Sequence, residues 1–211
     1  MSKIPQKIHM IWIGGEVPDW VQDNFRTWEK HHPSWELKLW TDADLGSFEF
    51  RLQSEFEAVD SFASKADIWR YEIVYRYGGF YVDADTVCQK PLNPLLCHSL
   101  VVGLEYDGPA IEHSPFGPAI GNCVFGATQE HPAIDHMIRG IPLWLNMWAG
   151  KPPTWTTGPG PFTTCVLSAL FTHTEVEVMP VGELFSPTET PNCFSVHHEI
   201  GSWVEPISTG V

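Results

Sequence analysis

The sequence predicts an α/β protein with a mostly parallel central sheet flanked by helices. Three features carry that expectation. Strand-like and helix-like segments alternate through the first half of the chain. The run 61–77 repeats apolar residues at helical spacing, with Phe62, Ala66, Trp69, Ile73 and Tyr77 forming a stripe. Gly pairs at 14–15 and 78–79 mark the passage from one element to the next.

Each element follows from its local pattern. KIHMIWIGG (7–15) reads as a first strand ending in a Gly-Gly turn. Pro18 suits the opening of a helix to about His32, with Trp20, Asn24, Trp28 and His31 along one side and Pro33 closing it. WELKLW (35–40) alternates Trp35, Leu37 and Leu39 against Glu36, Lys38 and Trp40, a second strand. Residues 41–59 suggest a short helix or two. After the helix at 61–77, Phe80, Tyr81 and Val82 form a strand. Further strands are expected at 100–105, 120–127, 175–179 and 194–197. Helices are expected at 132–149 and 160–171, the second following the loop PPTWTTGPGP.

The 211 residues suffice for a single domain with a sizeable core. Asp and Glu number 26 against 12 Lys and Arg, a formal charge of −14. That balance argues against a nucleic-acid partner, whose phosphates need a basic face. An acidic protein can still hold a polyphosphate where a divalent ion supplies the positive charge. The five cysteines include no C-x-x-C pair, which favours free thiols in a reducing, cytoplasmic setting over a zinc site or disulfide framework. No apolar run approaches the roughly 20 residues that cross a bilayer, so no membrane span is expected. The 10 tryptophans suit either a Trp-rich core or an aromatic groove for a planar or sugar ligand.

The chemistry concentrates in YGGFYVDAD (77–85). Asp83 and Asp85 stand one residue apart where a strand ends. Turn aspartates capping the next element are the ordinary explanation. The alternative is a hard-cation site: a divalent ion relieves the repulsion between two carboxylates and leaves positions for ligand oxygens. Strand carboxyl ends are where open α/β sheets bind ligands. Arg70 offers a cationic fork for a diphosphate or sugar hydroxyls, or else a surface pair with Asp67 three residues earlier. Near the chain end, SVHHEIGSW offers His197 or His198 as a further metal ligand, or else two surface histidines of a terminal strand. Trp12, beside Gly14-Gly15, is placed to stack a nucleobase or to fill the core.

In order and spacing, IPQKIHMIWIGG, HHPSWELKLWTD and ASKADIWRYEIVYRYGGFYVDADT resemble the DXD-containing sugar transferases of glycosyltransferase family 32. IGNCVFGATQEHP, TGPGPFTT and VHHEIGSW are similar to the family's later motifs, so the resemblance runs from Ile4 to Trp203. It implies a single GT-A domain over 1–211, with the nucleotide-binding part at about 1–105 and the acceptor and metal-completing part at about 106–211. It further implies a nucleotide-diphospho-sugar donor, a glycan or glycoprotein acceptor and Mn²⁺, with Mg²⁺ as a substitute. Carried over, Trp12 stacks the base, with His9 and Ile11 in the same pocket. Asp67 and Arg70 hold donor-sugar hydroxyls, Tyr81 lies against the nucleotide and Asn122 contacts the sugar. Gly158 and Pro159 shape the floor, and Trp203 faces the β-phosphate. Asp83, Asp85 and Arg70 form the catalytic set, and Asp83, Asp85 and His197 or His198 the metal ligands. Two departures stand out. Lys65-Ala66 replaces a frequent Ala-Ser, and Glu199 replaces a common aromatic. Compact transferases of this kind resemble those encoded by large algal DNA viruses, and a longer native chain with further domains is also compatible.

The resulting expectation is metal-dependent transfer of a hexosyl or deoxyhexosyl unit with retention of configuration. UDP-sugars are favoured and GDP-mannose is the runner-up. Metal-dependent nucleotide-sugar hydrolysis and non-catalytic nucleotide-sugar binding are the alternatives.

Overall fold

The computed structural model describes residues 3–105, 119–172 and 175–198. Glu199 and Trp203, singled out in the sequence, lie outside them. The chain runs β1 (Lys7–Ile11), α1 (Asp19–His31), β2 (Glu36–Trp40), α2 (Asp42–Leu45), α3 (Gln53–Ala58), α4 (Phe62–Tyr77), β3 (Gly79–Val82) and β4 (Thr86–Cys88). A 3₁₀ turn (Asn93–Cys97) leads to β5 (Leu100–Leu104) and β6 (Ile120–Ala127). Then come α5 (Pro132–Met147), α6 (Pro153–Thr156), α7 (Pro159–Phe171), β7 (Glu177–Met179) and β8 (Ser195–His197).

Six strands form one sheet in the order β2-β1-β3-β6-β5-β7. β1 pairs in parallel with β2 and β3, and β5 with β7; only β6 runs against its neighbours. The mostly parallel sheet expected from the alternation of elements is therefore present. Helices cover both faces. Ile8, Met10, Phe80 and Val82 point to the side of Val21 and Trp28 on α1, while Ile11, Tyr81 and Phe125 point to the side of α4 and α7. Pro153–Thr156 folds as the short helix α6 where the sequence suggested only a loop.

The stripe expected on α4 is only part of its buried surface. Trp69 and Ile73 are fully buried, but Phe62 is 41% exposed. Burial wraps almost the whole helix between Asp67 and Val74, taking in Asp67, Arg70, Tyr71 and Glu72. A helix enclosed on most sides loses the one-sided pattern that sequence periodicity detects. Its start is capped by Ser61, whose hydroxyl accepts from the Ser64 amide. It stops at Gly78-Gly79, both with positive φ (62° and 99°). A Cβ on Gly79 would lie 2.7 Å from the Lys7 carbonyl oxygen, so this crossing into β3 requires glycine.

His9 belongs to this framework. It is 3% exposed; Nε2–H donates to the Gly78 carbonyl (2.9 Å), and Nδ1 accepts from Trp40 Nε1 (3.3 Å). Burial lowers its pKa to about 4. The unfolded chain binds this proton near pH 6.5 and the folded chain does not until about pH 4, so stability falls as pH drops through that window. The loss at its lower end is about 3 kcal/mol. Urea unfolding at pH 7.5 and 4.5 should show a His9→Asn chain losing correspondingly less stability than wild type. Equal pH dependence in the two chains would contradict this assignment.

Candidate active site

β3 delivers Tyr81 and then Asp83 to the carboxyl end of the sheet, the end at which β1 delivers Trp12. The Asp83 amide donates to the Cys123 carbonyl on β6 (2.8 Å), and its carbonyl accepts from the Thr86 hydroxyl (2.6 Å) and amide (3.1 Å). The chain thus turns between the two aspartates and enters β4. α1 braces the turn: Asn24 Nδ2 donates to the Ala84 carbonyl (2.9 Å), Trp28 Nε1 to the Thr86 carbonyl (3.3 Å), and Thr27 Oγ1 accepts from the Cys88 amide (2.9 Å).

β4 pairs antiparallel with β8, placing Thr86 opposite His197. Of the two candidate histidines, His197 is the one whose ring meets the aspartates. His197 Nε2 lies 3.2 Å from Asp85 Oδ1 and 3.9 Å from Asp83 Oδ2. His198 is exposed, and its backbone amide is what engages the site, donating to the Asp85 carbonyl (3.1 Å). One ligand atom from each of Asp83, Asp85 and His197 lies within 4.8 Å of the others, the metal-capable group found among the described residues. Two carboxylate oxygens and an imidazole nitrogen are donors that fit a divalent cation.

Behind these ligands lies a buried polar network. Arg70 NH1 lies 3.2 Å from Asp83 Oδ1 and donates to the Asn122 carbonyl (2.7 Å), while NH2 lies 3.1 Å from Asp67 Oδ1. Its guanidinium stacks over Tyr81 (4.4 Å to the ring centre), and the Tyr81 hydroxyl donates to Asp83 Oδ1 (2.8 Å). Asp83 Oδ1 is thus held by two donors, and Oδ2 faces His197. Asn122 Nδ2 donates to Asp67 Oδ1 and contacts the Tyr71 hydroxyl, both at 2.8 Å. Asp67 Oδ2 accepts from the Thr157 hydroxyl (2.8 Å), and the Tyr71 hydroxyl donates to the Thr157 carbonyl (3.0 Å).

Electrostatically, one buried guanidinium serves two carboxylates. Burial pushes both Asp67 and Asp83 above the ordinary carboxylate range; Arg70 opposes the rise in each, and Asp85 adds to it for Asp83. Burial would depress Arg70, but the field of Asp83, Tyr81 and Asp67 outweighs it and raises its pKa. His197 follows the same logic. Burial alone would lower it, yet its hydrogen bonds with Asp85 and Cys123 push it up to about 12. A metal ligand must be neutral imidazole, so a cation held here would displace a proton.

The expected residues therefore divide. Asp83, Asp85 and His197 converge, with Arg70, Asp67, Tyr81 and Asn122 directly behind them. Gly158 caps α7 and Pro159 begins it, next to Thr157; a Cβ on Gly158 would sit 3.0 Å from the Pro153 carbonyl oxygen. Trp12 is half-buried on the α1 side, edge-on to Trp20, with its indole N–H donating to the Glu16 carbonyl (3.0 Å). His9 and Ile11 do not share its pocket, because they point to the α4 side. Neighbours in a strand face opposite ways. Arg70 is not a surface pair with Asp67 but a buried clamp. Asn24, Tyr71, Cys123 and Thr157 were not anticipated. Only Tyr71, four residues after Asp67 on one helix face, had a signal in the sequence.

A carboxylate pair at a strand end, met by a histidine from the sequence-distant strand β8, is a group that could hold a divalent cation. The sequence pattern described as a glycosyltransferase sugar-binding region containing a DXD motif matches residues 18–102. Inositol phosphoceramide mannosyltransferase 1 of Schizosaccharomyces pombe is 30% identical over 210 residues, covering 96% of this chain and 63% of the relative. Inositol phosphoceramide mannosyltransferase 3 of the same organism is 32% identical over 146 residues, covering 67% of this chain and 38% of the relative. The chain thus spans less than two thirds of the length of these relatives. Among solved structures, the PaToxG glycosyltransferase superposes with a TM-score of 0.57 at 20% identity, over 79% of this chain and 70% of that one. The chain carries the DXD-containing glycosyltransferase sequence pattern over 18–102 and has the GT-A fold.

Proposed function

We propose that the protein is a metal-dependent glycosyltransferase that moves a hexosyl unit from a nucleotide-diphospho-sugar to an acceptor hydroxyl. The observation that carries this reading is the convergence of Asp83, Asp85 and His197 at the end of β3. These three side chains would hold the cation, which when bound neutralises the leaving diphosphate. Arg70 and Tyr81 fix Asp83 Oδ1, so that Oδ2 is presented in one orientation. Asp85 is kept beside it by the turn that Asn24 and Thr86 stabilise. Trp12 offers an aromatic surface for the base at the same end of the sheet.

Asp67, the third carboxylate of the network, is bound by Arg70, Asn122 and Thr157. A carboxylate so engaged is a poor nucleophile, which favours attack on the leaving-group face and retention without a glycosyl-enzyme intermediate. Mannosyl transfer, named for the relatives, makes GDP-mannose the first donor to test; the UDP-sugars expected from the sequence come second. Mn²⁺ is the favoured ion because two of the three side chains are carboxylates, which suit it, and it accepts an imidazole more readily than Mg²⁺ does.

The test is release of nucleoside diphosphate from GDP-mannose and from UDP-sugars, with Mn²⁺ or EDTA, with and without glycan and lipid acceptor extracts. The expected result is turnover with one donor class that EDTA abolishes and an acceptor accelerates. Turnover that ignores EDTA would refute the metal site. Turnover that no acceptor accelerates would establish the hydrolase reading instead.

A further inference from the structure

The segment joining α6 to α7 is fastened to the buried network through one residue. Thr157 is fully buried; its hydroxyl donates to Asp67 Oδ2 (2.8 Å), and its carbonyl accepts from the Tyr71 hydroxyl (3.0 Å). Asp67 Oδ1 faces Arg70 NH2 (3.1 Å), and Arg70 NH1 faces Asp83 Oδ1 (3.2 Å). A continuous polar path therefore joins this segment to a carboxylate of the cation site, through buried groups whose alternatives are unsatisfied polar atoms. Just beyond it, Thr163 Oγ1 accepts from the Ile120 amide (2.8 Å) and holds α7 on β6, two residues before Asn122.

We propose that Thr157 is a positioning residue of the cation site. It fixes Asp67, and through Arg70 the metal-facing Asp83, so that the α6–α7 segment and the cation are energetically coupled. The proposal rests on the metal reading above. Thr157 touches no ligand atom; it acts by setting the carboxylate that sets the guanidinium. Without its hydroxyl, Asp67 Oδ2 has no hydrogen-bond donor among the described residues, and Arg70 is drawn toward Asp67 at the expense of Asp83. Coupling is reciprocal, so cation binding must also tighten the segment around Thr157.

The experiment measures Mn²⁺ affinity by calorimetry or by electron paramagnetic resonance of free Mn²⁺. The samples are wild type, Thr157→Val, which keeps the side-chain shape, and Thr157→Ser, which keeps the hydroxyl. Thr157→Val should weaken Mn²⁺ binding about fivefold or more, and Thr157→Ser should restore it to near wild type. In wild type, hydrogen exchange at the amides of 155–158 should slow on adding Mn²⁺. If Thr157→Val binds Mn²⁺ like wild type while melting lower, the residue is merely structural and this proposal fails alone. If wild type itself binds no Mn²⁺, the metal reading fails and takes this proposal with it.

Discussion

Asp85→Asn should lower Mn²⁺-supported turnover by about 100-fold or more and leave the fold intact. Asp85 lies in the turn after β3, its carboxylate 3.2 Å from His197 Nε2. Asparagine keeps the shape but removes the charge that draws a dication. The stability change should be small because two effects oppose each other. The ion pair with His197 is lost, while repulsion of Asp83, which helps to push that carboxyl up, is relieved. The informative pattern is therefore lost turnover and Mn²⁺ dependence with a melting temperature within a few degrees of wild type. A variant that retained full Mn²⁺-dependent turnover would remove Asp85 from the reaction.

Arg70→Met should have the largest effect on stability, about 3–5 kcal/mol. Arg70 is 6% exposed and is the cationic partner of both Asp67 and Asp83. Methionine fills much of the volume but leaves two carboxylates buried together without compensation. For a domain of this size the melting temperature should fall by about 10 °C. Adding Asp67→Asn to Arg70→Met should recover part of that loss, because it removes one of the uncompensated charges. If Arg70→Met melts like wild type, or if the double variant recovers nothing, the charge clamp is not what stabilises this region.

Much of the fold was legible because its elements are local patterns. The helix at 61–77 follows from its apolar spacing and the Gly pair after it, and the strand at 80–82 from consecutive Phe, Tyr and Val. β4 and α6 were missed, being three and four residues long and held mainly by partners far along the chain. Thr86–Cys88 is a strand because Ser195–His197 lies beside it.

The site was legible in part. Asp83 and Asp85 announce themselves by spacing, but the choice between His197 and His198 depends on which ring meets the aspartates. Thr157 bonds to Asp67 across 90 residues and Asn24 to Ala84 across 60, contacts that no local pattern encodes. The grouping of His9 and Ile11 with Trp12 overlooked the alternation of a strand. The surface pairing considered for Asp67 and Arg70 took α4 for a half-exposed helix, whereas both of its sides are covered.

The most direct test is anomalous diffraction near the manganese edge from crystals grown with Mn²⁺ and a nucleoside diphosphate. One strong peak should appear between Asp83, Asp85 and His197, with diphosphate oxygens on its open side. A diphosphate bound with no peak there, or a peak ligated by other residues, would contradict the assignment.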